Sequence, residues 1–309
     1  MPFAPAPALP SFLTTELPER RRAYRLERGR DAGKVVHFID HGPERSRPVL
    51  LIHGNPTWSF LWRKVIVRLP EMRCVAPDLL GFGLSDRLAR LEDHSVERHA
   101  EAIVELVETL DLRGMVLVLQ DWGGPIGALV GSMVPDRVAA VVLSNTAVVL
   151  PSNPRGTAFH RFARMPVVSD LVFRGLGFPQ NVLASVQGDR KSIKGTVAKA
   201  YTYPLRSLSD RIGPLALARM VPDSPDHPSM PALRRGEAFM LGFTGPMALV
   251  WGVRDPILGK ALARHERAFP RAYVAATQAG HFTQEEVPED IAHAIEDVCA
   301  RVSSAPPKP

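Results

Sequence analysis

Short apolar runs alternate with helical patterns along most of the chain. The apolar runs, which predict buried strands, lie at 35–39, 49–53, 74–76, 115–119, 138–143, 247–251 and 272–276. The helical patterns between them lie near 59–68, 96–110, 124–133, 257–268 and 286–300. Alternation of this kind predicts an α/β fold, with a mostly parallel, twisted sheet and helices on both of its faces.

The alternation stops between about 148 and 235, where no apolar strand pattern occurs. Prolines recur in this segment at 151, 154, 166, 179, 204, 214, 222, 225, 228 and 231. We expect short helices and loops that form an inserted cap (lid) at 148–235, above a core built from 1–147 and 236–309. A cap placed there would cover the carboxyl edge of the sheet, where open α/β folds bind ligands.

The composition is that of a globular protein, with 45% hydrophobic and 23% charged residues among 309. No apolar run reaches the roughly 18 residues of a membrane-spanning helix, and the start of the chain lacks the pattern of a secretory signal. We therefore expect no membrane association and a cytoplasmic location. The Pro/Ala-rich start and the tail at 303–309 predict loose chain ends.

The net charge of +6 owes much to a cluster of arginines near the start of the chain. These are Arg20, Arg21, Arg22, Arg25, Arg28 and Arg30. No nucleic-acid-binding module accompanies them, so we expect these arginines to form a solvated face. We expect no nucleic-acid partner. Cys74 and Cys299 lack metal-ligand spacing and are expected to be buried free thiols.

One run, Met-Val-Leu-Val-Leu-Gln-Asp-Trp-Gly-Gly at 115–124, carries the strongest chemical signal. It predicts a buried strand that leads into a sharp turn, typical of the nucleophile elbow G-x-S-x-G, but with Leu119 for the first glycine and Asp121 for serine. A carboxylate is ionised at pH 7 and attacks sp3 carbon without a base. Displacement at an alkyl centre is therefore favoured over acyl transfer, with a simple turn aspartate as the alternative.

Four motifs follow one another in the chain, each after a predicted strand. They are His-Gly-Asn-Pro-Thr-Trp-Ser at 53–59, Pro-Asp-Leu-Leu-Gly-Phe-Gly-Leu-Ser-Asp at 77–86, Gln-Asp-Trp-Gly-Gly at 120–124 and Gly-His-Phe at 280–282. Together they resemble the haloalkane dehalogenases of the α/β-hydrolase superfamily, over about 34–147 and 245–300. The resemblance implies an α/β-hydrolase fold and hydrolysis of haloalkanes to alcohol and halide through a covalent alkyl-aspartate ester.

The same resemblance assigns roles to individual residues. Asp121 would be the nucleophile, and the side chains of Asn55 and Trp122 would bind the departing halide. The backbone N–H groups of Asn55 and Trp122 would form the oxyanion hole during ester hydrolysis. A core position for Trp122 and a turn position for Asn55 before Pro56 are the structural alternatives.

Ester hydrolysis requires a base near neutral pH and an acid to orient it. His281 fits as the base, since histidine has an unperturbed pKa of about 6.5. Asp255 would be the acid, in the chain order nucleophile, acid, histidine, although it could instead cap a helix near 257. Some dehalogenases place a glutamate at the position of Asn145, which cannot serve as an acid. The set is most like the subgroup that pairs a late aspartate with an asparagine donor.

Two other activities fit part of this set. An epoxide hydrolase would use the same Asp, His and Asp, with Tyr201 and Tyr203 as its candidate proton donors. A coelenterazine-type luciferase would need a glutamate where Asn145 stands. No cofactor or metal is expected; the expected partners are a small apolar halogenated substrate, water and halide, and a homo-oligomer stays open.

Several remaining residues have expected structural roles. Asp78 and Asp86 are expected to hold the loop after the strand at 74–76, and Trp58 and Trp62 to pack the first helix of the core. Another set would line an apolar pocket or simply pack the cap: Phe159, Phe162, Leu171, Phe173 and Phe178.

Overall fold

The seven predicted strands, together with two near the amino terminus that were not predicted, form one nine-stranded sheet in a computed structural model, which describes residues 2–17, 20–151 and 157–304. The strands are β1 Phe3–Pro5, β2 Arg21–Arg25, β3 Val35–His41, β4 Pro48–Ile52, β5 Arg73–Pro77, β6 Met115–Asp121, β7 Val138–Thr146, β8 Met247–Gly252 and β9 Tyr273–Thr277. Their order is β1-β2-β3-β5-β4-β6-β7-β8-β9. The pairs from β5 to β9 are parallel, and β1, β2 and β3 are antiparallel additions at one side.

The α-helices lie before, between and after the strands. They are α1 Ser11–Thr14, α2 Arg63–Ile66, α3 Val96–Thr109, α4 Gly123–Met133, α5 Ala158–Ala163, α6 Val168–Asp170, α7 Gly195–Thr202, α8 Ile212–Met220, α9 Met230–Gly242, α10 Leu262–Ala268, α11 Thr283–Glu286 and α12 Pro288–Ser304. Among the described residues, no helix combines the length and apolar character needed to cross a bilayer.

The central strand β4 is apolar on both of its faces, and its sequence is therefore a continuous hydrophobic run. Leu50 and Ile52 belong to a core shared with α3, α4, α9 and α10. Val49 and Leu51 point to the opposite face and belong to a second core, shared with α2 and α12. The predicted α/β architecture, a mostly parallel sheet covered by helices on both faces, is confirmed.

Between β7 and β8, the described residues contain helices α5 to α9 and no strand. The predicted cap boundary between 235 and 236 falls inside α9. This helix packs against α4, where Gly236 lies beside Ala128 and Leu129. Residues 152–156 of the predicted cap lie outside the described residues.

The expectation of a loose amino terminus is wrong for residues 3–14. Phe3 in β1 pairs with Tyr24 in β2, and their ring centroids lie 5.2 Å apart. Leu13 in α1 is fully buried. Prolines are tolerated in edge strands, which lack a neighbour on one side, so a Pro-rich sequence did not exclude a strand here. At the other end, α12 extends to Ser304, and residues 305–309 of the predicted loose tail lie outside the described residues.

The two cysteines are buried free thiols, as expected. Burial raises the pKa of the Cys74 thiol to about 12, so it stays protonated and unreactive at neutral pH.

Candidate active site

Asp121 lies at the tip of a sharp turn between β6 and α4. Its φ of +49° is in the left-handed region, which is uncommon for a residue with a side chain. The turn requires glycine at the last two positions of the run at 115–124. A Cβ on Gly123 would lie 2.1 Å from the carbonyl oxygen of Ile52, and one on Gly124 would lie 1.7 Å from Oγ1 of Thr146. The elbow predicted from the sequence is therefore present.

Backbone N–H groups hold the Asp121 carboxylate at the carboxyl edge of the sheet. The N–H of Asn55 donates to Oδ1 at 2.7 Å, and the N–H of Trp122 also donates to the carboxylate. Burial raises the pKa of Asp121 above its usual value, while His281 and the two N–H groups oppose that rise. The side chain keeps 15% of its surface exposed, so the carboxylate is held but remains reachable.

His281 follows β9 and faces the predicted nucleophile, Asp121, and the predicted acid, Asp255. Its Nδ1 lies 2.8 Å from Oδ2 of Asp255, and its Nε2 lies 3.6 Å from Oδ2 of Asp121. Burial lowers the pKa of His281, but the two carboxylates outweigh burial and raise it above the usual value. A proton on Nδ1 would face Asp255, which leaves the lone pair of Nε2 on the side of Asp121.

Asp255 follows β8 and makes one contact to His281 and one within its own turn; the helix predicted near 257 begins only at Leu262, so Asp255 does not cap it. Its Oδ2 faces His281, while its Oδ1 accepts a hydrogen bond from the N–H of Ile257 at 2.7 Å. Burial would raise the pKa of Asp255, but His281 and Asn145 hold it below the usual value. The carboxylate is therefore ionised next to the imidazole.

Asn145 has a role that the sequence did not reveal. It lies at the end of β7 with φ of +35° and is fully buried. Its Nδ2 donates to Oδ2 of Asp255 at 2.7 Å and to the carbonyl of Gly252 at 3.0 Å, and its Oδ1 accepts from the N–H of Gly252 at 2.7 Å. The amide therefore holds both the carboxylate of Asp255 and the end of β8, at Gly252. Its position at the end of the strand beside β8 was the available signal.

The two residues predicted to bind halide, Asn55 and Trp122, both contact Asp121 through their backbone N–H groups. Nδ2 of Asn55 donates one hydrogen bond to the carbonyl of Pro214 in α8 at 3.0 Å, which leaves its second N–H. Nε1 of Trp122 has no hydrogen-bond partner among the described residues, although the residue is only 8% exposed. Both groups are therefore available to an anion above Asp121.

Hydrogen bonds confirm that Asp78 and Asp86 hold the loop after β5, as expected. Asp78 accepts from the N–H groups of Ser59 at 2.7 Å and Leu84 at 2.8 Å. Asp86 accepts from the N–H of Val35 at 2.8 Å. Trp58 and Trp62, which precede helix α2 in the chain, are buried.

The four phenylalanines that were expected in the pocket or the cap interior pack on one another. Phe173 lies at the centre, with ring centroids 6.1 Å from Phe159, 6.3 Å from Phe162 and 5.2 Å from Phe178. Leu171 is 61% exposed and does not join this cluster. Among the described residues, no group of three or more His, Cys, Asp or Glu side chains is arranged to hold a metal ion.

Comparison with known proteins assigns the chain to a family. A family model described as the alpha/beta hydrolase fold matches residues 47–288. A haloalkane dehalogenase from Mycolicibacterium paratuberculosis is 35% identical over 270 residues, which cover 84% of this chain and 86% of the relative. Haloalkane dehalogenase 2 from Mycobacterium bovis is 34% identical and matches 95% of this chain and 97% of its own length.

The chain belongs to the haloalkane dehalogenases.

Solved structures agree with this family. A haloalkane dehalogenase from Agrobacterium tumefaciens matches with a TM-score of 0.76 at 25% identity, over 92% of this chain and 98% of its own. A haloalkane dehalogenase from Paraglaciecola agarilytica, whose structure is tetrameric, matches with a TM-score of 0.75 at 25% identity, over 95% of each chain. As a haloalkane dehalogenase, the protein is a hydrolase that acts on carbon–halide bonds and has the α/β-hydrolase fold.

Proposed function

We propose that this dehalogenase works in two steps, through a covalent alkyl ester on Asp121 that His281 and Asp255 then help to hydrolyse. The observation that carries the proposal is the convergence of three side chains from three strand ends. The imidazole of His281 lies between the two carboxylates, with Nε2 3.6 Å from Asp121 and Nδ1 2.8 Å from Asp255.

In the first step, a carboxylate oxygen of Asp121 attacks the carbon that carries the halogen. A C–O bond forms, the carbon–halogen bond breaks, and its electron pair leaves with the halide. Negative charge therefore develops on the halogen, where Nε1 of Trp122 and the second Nδ2–H of Asn55 would donate hydrogen bonds. No proton is transferred in this step.

In the second step, Nε2 of His281 takes a proton from water as the water oxygen attacks the ester carbonyl. The resulting oxyanion would be stabilised by the N–H groups of Asn55 and Trp122, which already donate to the Asp121 carboxylate. Collapse of the tetrahedral intermediate breaks the bond to the alkoxide, which receives the proton from His281 and leaves as alcohol. The Asp121 carboxyl group then releases its remaining proton to water, which restores the carboxylate. Asp255 would stabilise the imidazolium in between.

We further propose that residues 148–235 form the cap over this site. Support comes from the hydrogen bond between Asn55 and the carbonyl of Pro214, because it joins the core loop to helix α8 of the predicted cap. A cap excludes water and strengthens the electrostatic contacts beneath it.

The proposed mechanism uses no cofactor and no metal ion. The relative from Paraglaciecola is tetrameric, and we propose that this chain also forms a homo-oligomer, which light scattering would measure.

The epoxide-hydrolase alternative receives no support from the two tyrosines. The hydroxyl of Tyr201 donates to Oε1 of Glu285 at 2.6 Å, and burial raises its pKa well above the usual value. Tyr203 packs against Phe12 near the amino terminus, with ring centroids 6.0 Å apart. A weakly acidic hydroxyl already bonded to a carboxylate is a poor donor for an opening epoxide.

The proposal is tested by measuring halide and alcohol release from short 1-bromoalkanes and dibromoalkanes, beside a matching set of epoxides, without added metal or nucleotide. We expect bromide and alcohol in equal amounts from the native enzyme. Asp121→Ala should abolish turnover, and Asp136→Ala, at an exposed aspartate, should not change it. Epoxide opening without halide release, or halide release by Asp121→Ala, would overturn the proposal.

A further inference from the structure

Gln187, in the predicted cap, makes two hydrogen bonds to the backbone of Phe282, the residue that follows His281. Its Oε1 accepts from the N–H of Phe282 at 2.8 Å, and its Nε2 donates to the carbonyl of Phe282 at 3.2 Å. Gln187 is only 6% exposed, so water competes little for these bonds. One side chain therefore satisfies both polar backbone groups of Phe282.

The backbone before Gln187 continues this contact. The N–H of His281 donates to the carbonyl of Val186 at 2.9 Å. Gly280 permits the approach, because a Cβ there would lie 2.4 Å from the Cα of Gln187 and from the carbonyl oxygen of Val186. The segment at 186–188 therefore lies directly against the segment at 280–282.

Glu286, in α11, bonds the same two segments from the other side. Its Oε1 accepts from the N–H of Gly188 at 3.0 Å and from the N–H of Gly280 at 3.0 Å. Its Oε2 accepts from the N–H of Asp189 at 2.8 Å. We call residues 186–189, residues 280–282 and Glu286 the clamp. Its hydrogen bonds join the predicted cap to the backbone on both sides of His281.

The clamp touches only one member of the proposed catalytic set. Asp121, Trp122 and Asn55 make none of its hydrogen bonds, whereas the main chain of His281 lies within it. Asp255 orients the imidazole ring through Nδ1, but the position of the backbone decides where Nε2 lies relative to the ester. Displacement by Asp121 needs no contribution from Nε2, and hydrolysis depends on it.

We infer that Gln187 is a positioning residue for the hydrolytic half-reaction. Through Gln187, the position of the predicted cap sets the position of Nε2 of His281 relative to the ester on Asp121. This inference rests on the proposed function. A displacement of about 1 Å in a reacting group costs on the order of a hundredfold in rate. Loosening the clamp therefore slows hydrolysis of the alkyl ester on Asp121 and leaves its formation unchanged.

Gln187→Met tests this, because methionine has a similar length but cannot bond the backbone of Phe282. Gln180→Met is the matched control: Gln180 is also a buried glutamine of the predicted cap, and neither of its amide atoms has a partner among the described residues. Rapid-quench single turnovers with a bromoalkane would measure bromide and alcohol separately, and intact-mass spectrometry would follow the alkyl-enzyme.

We expect bromide release by Gln187→Met to stay within about twofold of the native rate, while alcohol formation falls by roughly tenfold to a hundredfold. The control should match the native enzyme in both steps. The rate of adduct decay in Gln187→Met should fall by the same factor at every pH. The pH at which this rate is half-maximal on the acid side should not change, because Asp255 still raises the pKa of His281. A purely structural defect would slow both steps together.

Equal losses in both steps, or native adduct decay in Gln187→Met, would overturn the inference. If Gln187→Met does not fold, Glu286→Gln takes its place, since it weakens the same clamp from α11 and should give the same split. A His281→Phe variant that releases no bromide and forms no adduct on Asp121 would instead overturn the proposed two-step function. The two failures are therefore distinguishable.

Discussion

Nδ2 of Asn145 lies 2.7 Å from Oδ2 of Asp255, the same oxygen that lies 2.8 Å from Nδ1 of His281. The acid of the proposed triad is thus held by an amide at the end of the neighbouring strand. An asparagine cannot replace the acid, but here it can fix the direction in which the acid points.

This arrangement predicts graded losses in ester hydrolysis. Asp255→Asn should lower it on the order of a thousandfold or more, because the histidine loses the charge that stabilises its imidazolium and the partner that selects its tautomer. Asn145→Leu should lower it less, because His281 keeps its carboxylate. Alkylation should be nearly unchanged in both, as bromide bursts would measure. If Asp255 only held its local turn through the N–H of Ile257, Asp255→Ala would instead cost about 1 kcal/mol of stability with hydrolysis intact.

The leaving-group donors give a second prediction. Trp122→Phe and Asn55→Ala should each slow displacement by about a hundredfold, as expected on losing one donor to developing negative charge. The loss should be larger for chloride than for iodide, because the poorer leaving group depends more on its donors. Pre-steady-state halide release from matched chloro-, bromo- and iodoalkanes measures this.

Trp58→Phe is the control for those measurements. Nε1 of Trp58 also donates a buried hydrogen bond, to the carbonyl of Ala200 at 3.1 Å, but it lies outside the proposed halide site. Its replacement should affect all three halogens equally. The same uniform loss in Trp122→Phe would mean that the change damaged packing and that Trp122 does not bind halide.

A third prediction concerns stability in acid. His265 is fully buried, donates from Nδ1 to the carbonyl of Ala261 at 2.8 Å and accepts at Nε2 from the N–H of Val148 at 3.2 Å. Burial lowers its pKa to about 4, so folding favours the neutral ring. The stability that this contributes is complete above the unfolded pKa of about 6.5 and is lost as the pH falls from there towards 4.

His265→Gln should remove this pH dependence, because glutamine offers a donor and an acceptor but does not titrate. Between pH 7.5 and 5, the native enzyme should lose roughly 2 kcal/mol more in free energy of unfolding than the variant does. Urea unfolding at the two pH values measures the difference. Identical losses in the two proteins would show that His265 does not carry this linkage.

Much of this molecule could be predicted from local patterns in the chain. The buried strands were visible because β4 and its neighbours are apolar on both faces. Asp121 was visible because a strand, a charged tip and two glycines follow one another in sequence. His281 and Asp255 each follow a strand, and parallel strands bring their carboxyl ends to one edge of a sheet.

The missed features all depend on contacts between distant segments. Asn145 meets Asp255 across neighbouring strands, and Gln187 meets Phe282 across the predicted cap and the core; no spacing in the sequence signals either pair. The antiparallel pairing of Phe3 with Tyr24 was hidden by prolines that usually indicate a loose segment. Tertiary packing decides such contacts, and local propensity does not.

The central claim is that Asp121 carries a covalent alkyl group that His281 helps water to remove. His281→Phe, incubated with a bromoalkane at pH 8, tests it most directly by intact-mass and peptide mass spectrometry. The account predicts one equivalent of bromide, no alcohol, and a stable alkyl adduct on the peptide that contains Asp121. Full turnover by the variant, or an adduct on any other peptide, would contradict it.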